Sequence, residues 1–285
     1  MEHLSAAGLL PTSARSLAPL RLWRPTSIAD AVVCLKHCEA PVLLAGGTDL
    51  VAQFNEGLSP RSLIDLSRMD AMRQLHQRDG VLQIGSLVTH HDGCGNAHLR
   101  SRLPGFVRAW ARIANPRIRY RGTLGGNLMA RRTRYEGALL LQALRAKLHF
   151  SCAEGTEQVD VDALWRGALP ERALLTAIEL DTTDLLAFDY ERSLRPLMTQ
   201  ALAVWRQPGG LQLILVLATE YLPPVTLSVR LAGLSLPQLA PRADAIARDL
   251  LSGLPSSFAD AQVTSDYARR AGAALLERQL ESLHV

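Results

Sequence analysis

The sequence predicts an α+β fold in about two domains. Three observations predict it: short helical and extended segments alternate through the first half, apolar residues recur with period two in the second half, and two amphipathic helices close the chain. At 285 residues and 48% hydrophobic content, the chain can bury a substantial core.

In chain order, Pro25-Thr26-Ser27 followed by Ile28, Ala31, Val32 and Leu35 predicts a short helix, with Ser27 as N-cap and Asp30 three residues on. Ala40 to Leu44 is an apolar run ending in Gly46-Gly47, a buried strand entering a tight turn. Leu63 to Leu66 and Val81 to Ile84 read as further strands. Phe106 to Ile113 is helical, ended by Pro116, and Ala138 to Leu148 is a helix former running into a strand. Leu164 to Pro170 reads as a loop, and Leu174 to Leu180 as the strand that closes the first domain. The boundary is placed near Asp184, dividing the chain into a flexible tail (1–20), a first domain (21–183) and a second (184–285). Beyond it, Leu211, Leu213, Leu215 and Leu217 share one strand face. Val225, Leu227, Val229 and Leu231 share another, the two strands being antiparallel and joined by Pro223-Pro224. Ala240 to Leu254 and Ser265 to Leu283 are the closing helices, the second capped at Thr264-Ser265-Asp266.

Composition narrows the function. The most apolar stretch, Leu211 to Ala218, is far shorter than the roughly 20 residues of a membrane-spanning helix. The first residues carry no secretory signal, so the cytoplasm is expected. Cys34, Cys38, Cys94 and Cys152 are scattered and form no CxxC pair, which suits reduced structural thiols rather than a zinc or iron–sulfur ligand set. The net charge is +4, but of the basic residues only Lys36 and Lys147 are lysines. That uniform preference for arginine reads as a compositional habit, and no nucleic-acid partner is expected. Trp23, Trp110, Trp165 and Trp205 are too scattered to stack bases. His90-His91-Asp92 is read as a polar loop, because adjacent histidines in an extended segment face opposite ways. No metal site is expected. Asp49 and Glu136 lack an accompanying nucleophile or oxyanion feature, so no catalytic residue is assigned.

Two glycine pairs carry the chemistry: Ala45-Gly46-Gly47-Thr48-Asp49 and Thr123-Leu124-Gly125-Gly126-Asn127. Consecutive glycines at a strand end let backbone N–H groups converge on an anion, because glycine accepts positive φ and has no Cβ to block a ligand. Two such turns could hold the two phosphates of a dinucleotide, and a bulky residue at Gly46 or Gly126 would then block the ligand. Neither turn fits a nucleotide-hydrolysing P-loop or a Rossmann fingerprint.

The series Arg24-Pro25-Thr26-Ser27, Leu44 to Leu50, Leu63 to Leu66, Ile84-Gly85-Ser86-Leu87-Val88-Thr89 and Ile118 to Leu128 resembles the FAD-binding medium subunit of the molybdenum hydroxylases, the xanthine dehydrogenase and carbon monoxide dehydrogenase family. A weaker likeness continues through Tyr190 to Arg195, the period-two strands and the helix around Tyr267-Ala268-Arg269-Arg270. The resemblance implies a two-part FAD-binding domain of the vanillyl-alcohol-oxidase (PCMH) type and a small α+β C-terminal domain of the CO-dehydrogenase flavoprotein type. It implies FAD in this chain, with iron–sulfur clusters in a small partner subunit and molybdopterin in a large one, an arrangement compatible with a dimer of heterotrimers. By the same resemblance the backbone of Ala45 to Asp49, flanked by Leu44 and Leu50, and that of Thr123 to Asn127 would cradle the pyrophosphate. Ile113 would lie against the adenine, Glu136 would bond the adenosine part, and Ile178 would meet the flavin by main-chain contact. Electrons would pass from molybdenum through iron–sulfur clusters and flavin to an external acceptor.

The chain departs from that pattern in places. Arg131-Arg132-Thr133-Arg134-Tyr135 stands where the family has a small Ser-Pro stretch, adding cations beside the pyrophosphate or crowding it. Tyr120 stands for Asn, Glu191 for Lys, and Ala218-Thr219-Glu220 for a glycine-rich stretch. An assembly subunit that no longer holds flavin is therefore the alternative reading.

Overall fold

The computed structural model describes residues 19–193 and 197–283. Most of the expected N-terminal tail, and Leu194 and Arg195 within the Tyr190 to Arg195 segment, lie outside them. The chain begins with β1 (Arg21–Trp23), α1 (Ile28–His37), β2 (Pro41–Leu44), α2 (Leu50–Asn55) and β3 (Ser62–Asp65). The three strands form a small parallel sheet in the order β1-β3-β2. Helix α1 starts as its sequence dictates: Ser27 Oγ accepts from the Asp30 amide at 3.1 Å, and Ala31 and Leu35 are buried.

Next come β4 (Leu75–Arg78) and β5 (Val81–Gly85), then a run of short helices: α3 (His90–Gly95), α4 (Ala97–Arg102), α5 (Pro104–Trp110), α6 (Pro116–Arg119), α7 (Leu124–Met129) and α8 (Glu136–Ala143). The chain returns through β6 (Lys147–Cys152), β7 (Gly155–Asp160), α9 (Ala163–Arg166) and β8 (Leu174–Asp181). These strands make an antiparallel sheet ordered β4-β5-β8-β6-β7. Several boundaries differ from the sequence reading. Pro116 does not end the helix before it but opens α6 at its first position, where the missing N–H costs nothing; Asn115 caps that helix, and α5 already stops at Trp110. Helix α8 stops at Ala143 because Arg145 takes φ 53°, and the expected loop at Leu164 holds the end of α9, closed by Gly167 at φ 69°.

The last part comprises β9 (Leu185–Arg192), β10 (Met198–Gln207), β11 (Gly210–Thr219), β12 (Val225–Ala232), α10 (Ala243–Ser252) and α11 (Ser265–Ser282). Its sheet is antiparallel, ordered β12-β11-β10-β9. On one face, Ala201, Ala203, Trp205, Ile214, Val216 and Ala218 join a buried cluster with α5, α8 and the five-stranded sheet. On the other, Leu202, Val204, Leu213, Leu215 and Leu217 pack with residues of α10 and α11. Burial on both faces explains why β11 is an almost unbroken apolar run. β12, whose alternate residues are exposed, keeps the period of two.

Helix α11 is tied to this sheet by a polar link. Gln200 and Gln279 are fully buried; Gln200 Nε2 donates to Gln279 Oε1 at 2.7 Å, and Gln279 Nε2 donates to Asp189 Oδ2 at 3.1 Å. A buried amide left without its partner costs more than the bond itself contributed. Q279A should therefore destabilise the protein by about 2–3 kcal/mol in chemical denaturation, and adding Q200L, which removes the orphaned amide, should recover part of that loss.

Candidate functional site

The first glycine pair leaves the C-terminal end of β2, the end at which parallel α/β sheets present their ligand sites. Gly47 adopts φ 75°. Gly46 lies so close to the chain at Arg121 that a Cβ on it would stand 1.8 Å from the Arg121 carbonyl oxygen. The turn is thereby pressed onto the segment that precedes α7. Among the described residues, no protein group accepts a hydrogen bond from the Gly46, Gly47 or Thr48 amides, and these backbone donors remain available to an anion.

The second pair is built differently from the first. Gly125 and Gly126 form the first turn of α7, capped by Thr123, whose Oγ1 accepts from the Gly126 amide at 3.0 Å. The neighbouring amides are spent as well: Leu124 donates to Val88 O (3.0 Å), Gly125 to Ser86 O (2.9 Å) and Asn127 to Thr123 O (2.9 Å). The segment thus braces the first turn, and its amides from Leu124 to Asn127 are not free to bind phosphate. Gly46 is corrected as a probe too, since a side chain there meets Arg121 before it meets any ligand.

Asp49 joins the two segments. Its Oδ1 accepts from Arg132 Nε and from Tyr135 OH, both at 2.7 Å, and its Oδ2 accepts from Gln53 Nε2. Burial alone would raise the Asp49 carboxyl, but the hydrogen bonds from Tyr135, Arg132 and Gln53 and the Arg132 charge hold it below the ordinary carboxylate range. Two residues of the Arg131 to Tyr135 departure are therefore committed to a carboxylate of the first turn.

Tyr135 also borders a cleft of about 300 Å³ between α8 and the C-terminal sheet. Arg112, Arg134 and Arg192 line it together with Glu136 and Glu220. Glu136 Oε1 accepts from Tyr190 OH and faces Arg192 Nη1 at 3.5 Å, while the Arg112 guanidinium sits over the Tyr190 ring at 5.5 Å. Burial, with the nearby Glu136 charge, pushes the Tyr190 hydroxyl far up, so it stays a donor. Tyr135 thus lines the cleft while its hydroxyl reaches Asp49 at the end of the turn. A larger cavity of about 400 Å³, lined by Cys94, Arg100, Arg108 and Arg119 among others, is bordered by neither glycine pair.

The structure brings Leu44 to Leu50, Thr123 to Asn127 and Glu136 into this region, but two expected residues stay outside it. Ile113 is turned into the core while its neighbours Arg112 and Ala114 face the cleft. Ile178 is fully buried on the central strand β8, paired with Ile84 on one side and Leu148 on the other, so its backbone lies in the sheet and its side chain in the core. Residues to which sequence reasoning gave no site role are Arg112, Tyr190 and Arg192: only in the folded chain do Tyr190 and Arg192 meet Glu136 and does Arg112 lie over the Tyr190 ring.

His90 does not stand in a polar loop. Thr89 caps α3, and His90 on its first turn is buried, its Nδ1 accepting from Trp110 Nε1 at 2.7 Å. His91 instead packs against the Tyr120 ring. Among the described residues no group of histidines, cysteines and carboxylates could hold a metal ion, and Cys34, Cys38, Cys94 and Cys152 are free thiols. No helix of the described residues is long and apolar enough to cross a membrane.

Residues 18–181 match the family described as the FAD binding domain in molybdopterin dehydrogenase. The chain belongs to this family. Among relatives, it is 31% identical over 167 residues to the nicotine 6-hydroxylase medium subunit of Paenarthrobacter nicotinovorans, covering 58% of each chain. It is 33% identical over 163 residues to the carbon monoxide dehydrogenase medium chain of Afipia carboxidovorans, covering 55% of this chain and 57% of that one. The chain thus spans little more than half the length of the curated relatives it matches. The fold extends further: quinoline 2-oxidoreductase from Pseudomonas putida 86 superposes with a TM-score of 0.78 at 20% identity, over 94% of this chain and 98% of that chain. A Cu,Mo-CO dehydrogenase structure gives 0.75 at 23% identity, covering 94% and 100%. The FAD-domain family and the α+β architecture are therefore both established for this chain.

Burial, helped by the Arg119 charge, lowers the His90 pKa to about 4 from an unfolded value of 6.5. The unfolded chain takes up the proton first, so this residue's contribution is complete above pH 6.5 and is lost as pH falls through 4. Stability should drop by about 3 kcal/mol across that window. H90Q, which keeps a neutral acceptor for Trp110, should flatten this part of the pH–stability curve.

Proposed function

We propose that this chain is the FAD-binding medium subunit of a molybdenum hydroxylase complex, an oxidoreductase, and relays electrons between partner subunits and an external acceptor. The observation that carries the reading is the Gly46 to Thr48 turn, whose three amides have no protein acceptor, beside an arginine-lined cleft. This donor set fits a pyrophosphate: backbone N–H groups meet an anion without a side chain in the way, and the adjoining cleft has room for further parts of the molecule. The names of two relatives support the subunit role, one a medium subunit and one a medium chain.

Leu44 to Leu50 would hold the pyrophosphate, with Thr123 to Asn127 fixing that turn from behind. Glu136, oriented by Tyr190 and Arg192, would take a polar group of the cofactor in the cleft. Bound FAD supplies the redox chemistry, taking up and releasing electrons, while the protein orients it and tunes its surroundings. Residues 21–183 would form the cofactor unit and 184–285 the wall across the cleft. An iron–sulfur small subunit and a molybdopterin large subunit would be the partners, in a dimer of heterotrimers. The free thiols agree with placement in the cytoplasm.

The spent amides of Leu124 to Asn127 favour the alternative, an assembly subunit without flavin. Absorption spectra separate the two. The purified chain, or its complex, should show bound flavin or take it up on reconstitution with FAD. A complex that assembles with its partners yet stays colourless in the flavin region after reconstitution would establish the assembly role instead.

A further inference from the structure

We infer that Arg132 is the countercharge that allows the Gly46 to Thr48 turn to accept an anion, by neutralising the Asp49 carboxylate at its edge. The inference rests on the flavin reading above and assigns to the departing segment a part in binding. Asp49 directly follows the three available amides and brings a full negative charge to the place where a pyrophosphate would bring more. Like charges brought together there repel appreciably, since the partly buried turn screens them less than bulk water does. The carboxylate cannot escape by taking up a proton, because Tyr135 and Gln53 also donate to it and keep it ionised.

Arg132 answers that charge directly. Its Nε lies 2.7 Å from Asp49 Oδ1, with the Asp49 side chain 18% and the Arg132 side chain 31% exposed. Among the described residues, Arg132 is the one cation within 4 Å of Asp49. Two other residues of the segment turn elsewhere: Arg134 lines the cleft, and Thr133 Oγ1 donates to Glu220 O at 2.5 Å. The run therefore does not place all its cations on the cofactor. One of them makes a neutral pair, and the anion then meets amides beside a dipole rather than beside a bare carboxylate.

A merely structural latch would behave differently, and the sign of one variant separates the two. FAD binding to the flavin-stripped full chain, or complex, would be followed by quenching of flavin fluorescence, with thermal unfolding monitored in parallel. If the pair acts through charge, R132Q weakens FAD binding about ten- to a hundredfold, and the defect shrinks as salt is raised. D49N, which leaves Arg132 as an uncompensated cation, binds FAD at least as tightly as wild type. The double variant D49N/R132Q returns to within a few-fold of wild type. If the pair is only a latch between segments, D49N weakens binding as much as R132Q, the double variant is no better and salt has no effect; that pattern would overturn the inference. So would R132Q binding FAD like wild type. A wild-type chain that takes up no FAD would overturn the flavin reading itself, and this inference with it.

Discussion

The contact between Gly46 and the carbonyl of Arg121 governs the rest of the site, because it sets two stretches of backbone against each other where no side chain fits. Behind that contact, the amides from Leu124 to Asn127 are anchored to Ser86, Val88 and Thr123, so the surface on which the first turn rests is fixed from the other side. His90 belongs to the same support: its amide donates to Gly122 O at 2.9 Å, and its ring accepts from buried Trp110. A loop bearing three unpaired amides is costly to hold in place unless its surroundings determine it. Here the determining neighbours are largely backbone and buried rings, which have little freedom to yield.

The two glycine pairs therefore divide the work. One presents donors, and the other spends its donors to hold the first in position. This asymmetry also gives the arginine-rich segment its place, since it follows the bracing helix and reaches across to Asp49 at the edge of the presenting turn. The match to the FAD-domain family covers the part of the chain that holds both pairs, while the C-terminal sheet is related to its counterparts in fold.

What could be read from the sequence was what local chemistry decides. Ser27 caps α1 by its own hydroxyl, Gly47 needs the positive φ its residue type permits, and Val225 to Leu231 alternate because one face of β12 meets solvent. Strand β10 was not read because Ala201 and Ala203 pack on one face and Leu202 and Val204 on the other, leaving no alternation to detect. That Gly125 and Gly126 open a helix was not legible because two glycine pairs look alike in sequence, whereas the acceptors that claim the surrounding amides come from Ser86 and Val88. The Asp49–Arg132 pair spans 83 positions and had no local signature. The place of Ile178 was not legible for a related reason: its central position in the sheet depends on β5 and β6 arriving on either side.

The C-terminal sheet, with a helical layer on each face, has a mechanical consequence. One of those layers, α5 and α8, belongs to the part of the chain that carries the turn, and α8 begins at Glu136 in the cleft wall. Swinging the sheet away as a rigid door would bring Ala203, Ile214 and Val216 into water, a penalty that grows with every apolar side chain uncovered. The cleft is consequently a fixed slot in a continuous body. Adjustment within it is left to long side chains such as Arg134, which is exposed and can change rotamer without disturbing the wall behind.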